Sequence, residues 1–194
     1  MKPETYLKKA MRRSNGYTSN GGFKTIEGPF QGEIFPWDKG GFATNAEVAF
    51  IDYNYDGDFT DTPSPIDKLK SLRTDLDCRF VVSKEHFLRA VKAAHSIRPL
   101  SVKVNANGCL ETMAQGKYGN SHCGIRNMDT WKLKSKDTTV LYRKLGKDVS
   151  LLLDPRYLLD AISAMGDILI VSVYGYLVVI QDDNREAWIM QRRG

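Results

Sequence analysis

Apolar and polar positions change their rhythm near residue 78, and the change divides the chain into two unlike parts. Beyond it, Arg79-Phe80-Val81-Val82 reads as a strand, with Ser83 as the N-cap of a helix. In that helix Phe87, Leu88, Val91 and Ala94 recur at helical spacing, with Glu85, Arg89, Lys92 and Ser96 on the opposite face. The predicted helix ends before Arg98-Pro99, and residues 101–104 and 109–113 flank Asn105-Ala106-Asn107-Gly108, a hairpin signal.

Seventy-one residues later the same order returns. Residues 149–153 read as a strand, Asp154 as an N-cap and Pro155 as the first helical residue. Leu158, Leu159, Ile162 and Met165 form the stripe, Gly166 stops the helix, and residues 168–173, 176–180 and 186–190 read as strands. At this offset Ser83 meets Asp154, Phe87 meets Leu158 and Leu88 meets Leu159. Two amphipathic helices can match by chance, but the shared strand before and hairpin after favour a true repeat. One such unit cannot bury its own sheet face. Two copies about a pseudo-two-fold axis are therefore expected to lay their helices on one side of antiparallel sheet, an α+β arrangement. Residues 114–148, with Trp131, Leu133, Val140 and Tyr142, should supply the remaining strands of the first half.

Residues 1–77 read differently. Pro3, Tyr6, Leu7, Ala10 and Met11 suggest a short helix over residues 1–13, and the aromatics scattered between Gly16 and Gly41 suggest loops and short strands. Residues 47–61 admit two readings. One is a hairpin turning at Asp56-Gly57. The other is a calcium loop, with Asp52, Asn54, Asp56 and Asp58 at alternate positions, although Pro63 stands where a bidentate Glu would close it. The incomplete ligand set favours the hairpin, and calcium is the one cofactor suggested. Residues 62–77, with Pro63 and Pro65, read as the connection onward.

Charge sharpens this division. Residues 1–28 hold six basic and two acidic side chains, residues 29–77 four and ten, and residues 78–194 eighteen and eleven. A basic arm, an acidic middle and a basic second part suit a partner carrying phosphates. Three cysteines without a CxxC pair argue for a reducing, cytoplasmic setting and against structural zinc. No apolar run is long enough to span a membrane, and the start lacks the apolar core of a secretory signal. No hydrolase or phosphate-loop motif occurs, and His86, His95 and His122 are scattered, so a non-catalytic protein is expected.

The residues also resemble a known family. VSLLLDPRYLLDAISA at residues 149–164 resembles the last domain of bacterial DNA polymerase sliding clamps, where a strand leads into a helix of the form x-Y-L-x-D-A-L. REAWIMQRR at residues 185–193 looks like that family's closing strand, and FVVSKEHFLRAV like the opening of a clamp half-domain. The resemblance covers residues 78–194, one clamp domain where a bacterial clamp strings three, with residues 1–77 as an N-terminal basic arm and a β-rich, acidic region. It implies a processivity-type replication accessory that surrounds duplex DNA, self-associates and needs no catalytic residue. Arg89, Lys92, Lys132, Lys134, Lys136 and Lys144 are then the candidate phosphate contacts, while Arg156 and Asp160 balance each other. The family's tail helps form a pocket for polymerase peptides, so Met190, Arg192 and Arg193 are candidate partner contacts, although Gln191 stands where the family has Pro. The alternative is a phage or mobile-element module that uses the same fold to bind and modulate a host protein.

Overall fold

The computed structural model describes residues 1–17, 23–27, 30, 32–98, 102–106, 110–125 and 149–192. It begins with α1 (Pro3–Ala10), β1 (Arg12–Tyr17), β2 (Phe23–Glu27), β3 (Phe35–Pro36), β4 (Gly41–Thr44), β5 (Val48–Asp52) and α2 (Ile66–Ser71). The first repeat is β6 (Cys78–Ser83), α3 (Lys84–Ser96), β7 (Val102–Ala106), β8 (Leu110–Gly116) and β9 (Gly119–Ile125). The second is β10 (Val149–Leu153), α4 (Pro155–Ala164), β11 (Ile168–Tyr174), β12 (Leu177–Gln181) and β13 (Arg185–Met190). The expected Trp131, Leu133, Val140 and Tyr142 lie outside the described residues.

Each repeat lends its first strand to the other. β6 pairs antiparallel with β11, Ser83 opposite Ile168, while β10 pairs with β7, Leu153 opposite Val102. In both cases the last strand residue before one helix meets the first strand residue after the other helix. A two-fold relation requires that reciprocity. The helices pack against each other, burying Phe87, Ala90, Val91 and Ala94 of α3 and Tyr157, Leu158, Ala161 and Ile162 of α4. Their caps differ. Asp154 accepts a hydrogen bond from the Arg156 N–H at 2.8 Å, whereas Ser83 holds the N-cap position without a side-chain bond. Arg98 closes α3 with a φ of 53°, a left-handed stop just before Pro99.

The strands form a sheet ordered β10-β7-β8-β9 and a second ordered β3-β4-β5-β13-β12-β11-β6, with β1 and β2 paired apart. Strands from either side of residue 77 thus share one seven-stranded sheet. One face of it packs beneath α1, α3 and α4 through Phe50, Val171, Ile180 and Ile189. The other packs Phe35, Phe42, Val179 and Trp188 beneath Leu69 of α2. With both faces covered, β5 is buried at every position and shows no alternation.

That covering overturns the hairpin at Asp56-Gly57. β5 ends at Asp52, no strand follows in residues 53–61, and its partners are β4 and β13. The turn into β5 is made instead at Asn45 and Ala46, where fully buried Asn45 accepts the Glu47 and Val48 N–H groups through Oδ1. At Gly40 the backbone has φ of 75°, and a Cβ would lie 2.0 Å from the Asp52 carbonyl oxygen, so only glycine fits. The connection expected at residues 62–77 contains α2, whose Leu69 is drawn to the sheet by burial. Among the described residues no helix is long and apolar enough to cross a membrane.

The seam between the two parts is polar as well as apolar. Asp52, with no exposed surface, accepts Arg185 Nε at 2.7 Å. The same guanidinium donates to the carbonyls of Met1 (2.7 Å) and Ala164. Tyr6 stacks on Phe50 with ring centroids 4.8 Å apart and donates its hydroxyl to the Glu186 carbonyl at 2.9 Å.

Replacing Arg185 by Met leaves the Asp52 carboxylate buried without its cation, and should cost about 3–5 kcal/mol in urea unfolding. The double variant Asp52→Asn/Arg185→Met should lose less than the two single changes added together, and strict additivity would argue against the pair. A second expectation concerns pH. Burial, then the nearby charge of Arg156, holds the His95 imidazole below its ordinary 6.5. The unfolded chain therefore takes up this proton at a higher pH than the folded one, so stability falls on acidification below about 6.5. His95→Gln should flatten that part of the urea-midpoint profile between pH 7.5 and 5.5, and an unchanged slope would exclude the assignment.

Candidate nucleic-acid interface

The three helices on the inner face of the sheet stand in a row, because α4 packs against α3 on one side and α1 on the other. Their apolar stripes are spent inward, which leaves the polar flanks facing out. On α1 and at its two ends the exposed cations are Lys2, Lys8 and Arg12, the last being the first residue of β1, with Glu4 as the one acid. Lys8 hydrogen-bonds Glu4 at 2.6 Å, which holds the carboxyl below its ordinary value and raises the ammonium.

Of the predicted phosphate contacts, Arg89 and Lys92 both lie exposed on α3. Arg89 is paired with Glu85 one turn back at 2.6 Å, across fully wetted surface. Lys132, Lys134, Lys136 and Lys144 lie outside the described residues. The expected balance of Arg156 by Asp160 is not what forms. Asp160 instead receives Lys9 of α1 at 2.6 Å, and this ion pair links neighbouring helices. Taken from Lys2 to Arg12 and along α3 and α4, the row carries eight basic side chains against three acidic ones. The α1 part of this surface was visible in the sequence only as a basic arm, since nothing there says that it lies beside α4.

The helix junction is fixed by a buried polar knot. Asn45 donates to Tyr157 Oη at 2.7 Å and to the Arg12 carbonyl, while the Tyr157 hydroxyl lies 2.9 Å from that same carbonyl and 3.1 Å from Glu47 Oε2. This knot sets where α1 ends relative to the start of α4, and so sets the spacing of their charges.

The remaining candidates separate. Met190 is half-buried against the outer aromatic cluster, and its N–H donates to the Glu47 carbonyl at 2.9 Å. Arg192 turns to the other sheet, its N–H donating to the Leu152 carbonyl at 2.7 Å and its guanidinium 3.7 Å from Asp154. Arg193 lies outside the described residues. The tail residues described therefore do not gather into one pocket.

The calcium-loop candidates are also split. Asp52 points inward to Arg185 and accepts the Asn54 N–H at 3.0 Å, and the Asn54 amide donates to Asn184 at 3.1 Å. Asp56 and Asp58 line an open cleft of about 630 Å³ with Lys2, Glu4, Tyr55 and Phe59. Among the described residues no group of three or more His, Cys, Asp or Glu is placed to hold a metal.

No family model matches the sequence, and no curated protein matches it either. Solved structures do. The DNA polymerase sliding clamp of Bacillus subtilis superposes with a TM-score of 0.51 at 19% identity, covering 79% of this chain and 41% of that one. The DNA polymerase III beta chain of Streptococcus pneumoniae gives 0.52 at 14% identity, with the same coverage. The beta sliding clamp of Bartonella birtlesii gives 0.50 at 16% identity, covering 79% and 42%. The chain thus spans about two fifths of the clamps it matches. The reciprocal strand exchange, the helix row and these superpositions agree that over most of its length the chain has the fold of the bacterial DNA polymerase sliding clamps.

Proposed function

We propose that this chain is a non-catalytic clamp-type accessory of DNA replication whose helix row faces the phosphates of duplex DNA. The observation that carries this reading is the excess of basic side chains on that row, eight against three, on a clamp fold. Sliding requires attraction that ignores sequence and holds no single register. Exposed Lys and Arg tips on packed helices supply that: their stems are anchored, and their charges remain hydrated and interchangeable. The in-helix pairs Lys8–Glu4 and Arg89–Glu85 are worth only a few tenths of a kcal/mol each, so phosphates can compete for both cations.

A single pair of repeats encloses nothing, so encirclement calls for further units of this fold, and self-association is the proposed source of them. The matched clamps are more than twice as long as the part they share with this chain, which leaves room in them for further units. The partner contacts proposed for Met190 and Arg192 belong to replication proteins rather than DNA, since neither residue lies on the helix row.

Binding to a short duplex should weaken steeply as salt rises, with log K linear in log salt. Arg12→Ala and Lys92→Ala should each make that slope shallower by roughly one, and equally for unrelated duplex sequences. Slopes identical to the parent, or a dependence on sequence, would remove the helix row as the interface. Sedimentation with closed circular DNA should show an assembly larger than one chain, whereas a strict monomer on DNA would rule out encirclement.

A further inference from the structure

On the opposite face of the seven-stranded sheet, away from the helix row, two arginines converge on one tyrosine. Arg73, just after α2, donates from Nη2 to the Tyr174 hydroxyl oxygen at 3.1 Å. Arg79 of β6 reaches the same oxygen from its own Nη2 at 3.5 Å, and its Nε donates to Ser172 Oγ at 3.1 Å. Ser172 is fully buried and Tyr174 nearly so, at 6% exposed, whereas Arg73 is open to solvent.

The grouping is unusual for its electrostatics. Two like charges meet at a neutral oxygen, and among the described residues neither guanidinium has a carboxylate within ion-pair distance. The nearby acids are otherwise engaged. Glu186 accepts from Trp188 Nε1 at 2.7 Å and from the Tyr53 hydroxyl, and Asp77 accepts the Gly175 N–H at 2.6 Å. Tyr174 spends its oxygen accepting from both arginines, and among the described residues its own hydroxyl hydrogen has no acceptor. Burial would raise this phenol, but the hydrogen bonds and charges of Arg73 and Arg79 outweigh it and hold the group below its ordinary value. Arg73 also lies over the rings of Tyr174 and Trp188, its Cζ 5.0 and 5.4 Å from their centroids, so aromatic stacking holds it in place.

We propose that Arg73, Arg79 and Tyr174 form a binding site for a single phosphate monoester group. A tetrahedral dianion offers acceptor oxygens in several directions, which suits two guanidinium groups and a phenol hydrogen approaching from different elements. A planar carboxylate would be satisfied by one guanidinium alone. Of the cations on α2, Lys70 is paired with Asp38 at 3.1 Å and lies over Trp37. Two guanidinium groups converging on one oxygen, rather than a row of free charges, therefore mark the site, and it suits an isolated phosphate better than a nucleic-acid backbone. It does not rest on the reading of the helix row, because α2 and the sheet face that carry it lie across the sheet from those helices.

The test is a titration of the full chain with inorganic phosphate at constant ionic strength, followed by the Trp188 Nε1–H and Arg79 Nε–H resonances. Saturable movement of both signals is expected, matched by O-phosphoserine and by a mononucleotide, which separate a phosphoprotein source from a nucleotide source. Arg73→Gln and Arg79→Gln should each weaken binding about tenfold, and Tyr174→Phe by a smaller factor, with unfolding midpoints checked alongside. An equal response of the Trp188 Nε1–H signal in the parent and the Arg73→Gln/Arg79→Gln double variant, the one signal both retain, would overturn the proposal. So would displacement of phosphate by unphosphorylated duplex DNA more effectively than by O-phosphoserine, because the cluster would then be part of a backbone-binding surface.

Discussion

The ladder between β5 and β13, locked by Asp52 and Arg185, is the contact on which the architecture depends. It joins residues far apart in sequence through paired backbone from Val48–Ile189 to Asp52–Arg185. At its end a carboxylate with no exposed surface meets a guanidinium that also gathers the carbonyls of Met1 and Ala164. The desolvation of such a pair offsets much of its attraction. Its contribution is therefore to placement more than to net stability: any other register would leave Asp52 buried without a cation. The apolar burial above it, with Tyr6 stacked on Phe50, supplies the driving force that the ion pair does not.

This seam explains how the helix row comes to hold three members rather than the two that the repeat provides. α1 is only eight residues long and would be marginal alone in water. It persists because Tyr6, Leu7 and Ala10 are buried against β4, β5 and α4, and because Lys9 reaches Asp160. Once docked, it adds its cations beside those of α4. Residues 1–77 therefore contribute to the same core and the same charged surface as the repeat, while their sequence composition looks like that of an appendage.

The repeat was the part of the fold legible in the sequence, and the reason is local. Strand, cap, helix stripe and hairpin are each written within a few residues, and the second copy at Asp154-Pro155 repeats the first. The exchange of β6 and β10 between sheets leaves no local mark, since either pairing buries the same alternate residues. The hairpin at Asp56-Gly57 failed for a related reason. Residues 48–52 look like any apolar strand, and only a partner 130 or so residues away decides which end turns and which carboxylate goes inside. The site was legible in proportion. Arg89 and Lys92 follow from helix periodicity, but the position of Arg12 depends on Asn45 and Tyr157, and the meeting of Arg73 with Arg79 depends on α2, which Pro63 and Pro65 made to look like a linker.

The two basic surfaces differ in the way their charges are held, and this difference separates their chemistry. On the helix row, Lys8, Arg89 and Lys92 are long, exposed and at most paired within their own helix, so each can exchange one phosphate for the next with little loss. On the outer face, Arg73 is stacked over two rings and Arg79 is pinned by fully buried Ser172, so much of the conformational entropy of holding an anion is already spent by folding. Loosely held charge suits a duplex that must move. Preorganised charge suits a group that stays. A sheet covered on both faces can present the two without mixing them, because it holds them apart on opposite surfaces, where water and salt screen one set of cations from the other.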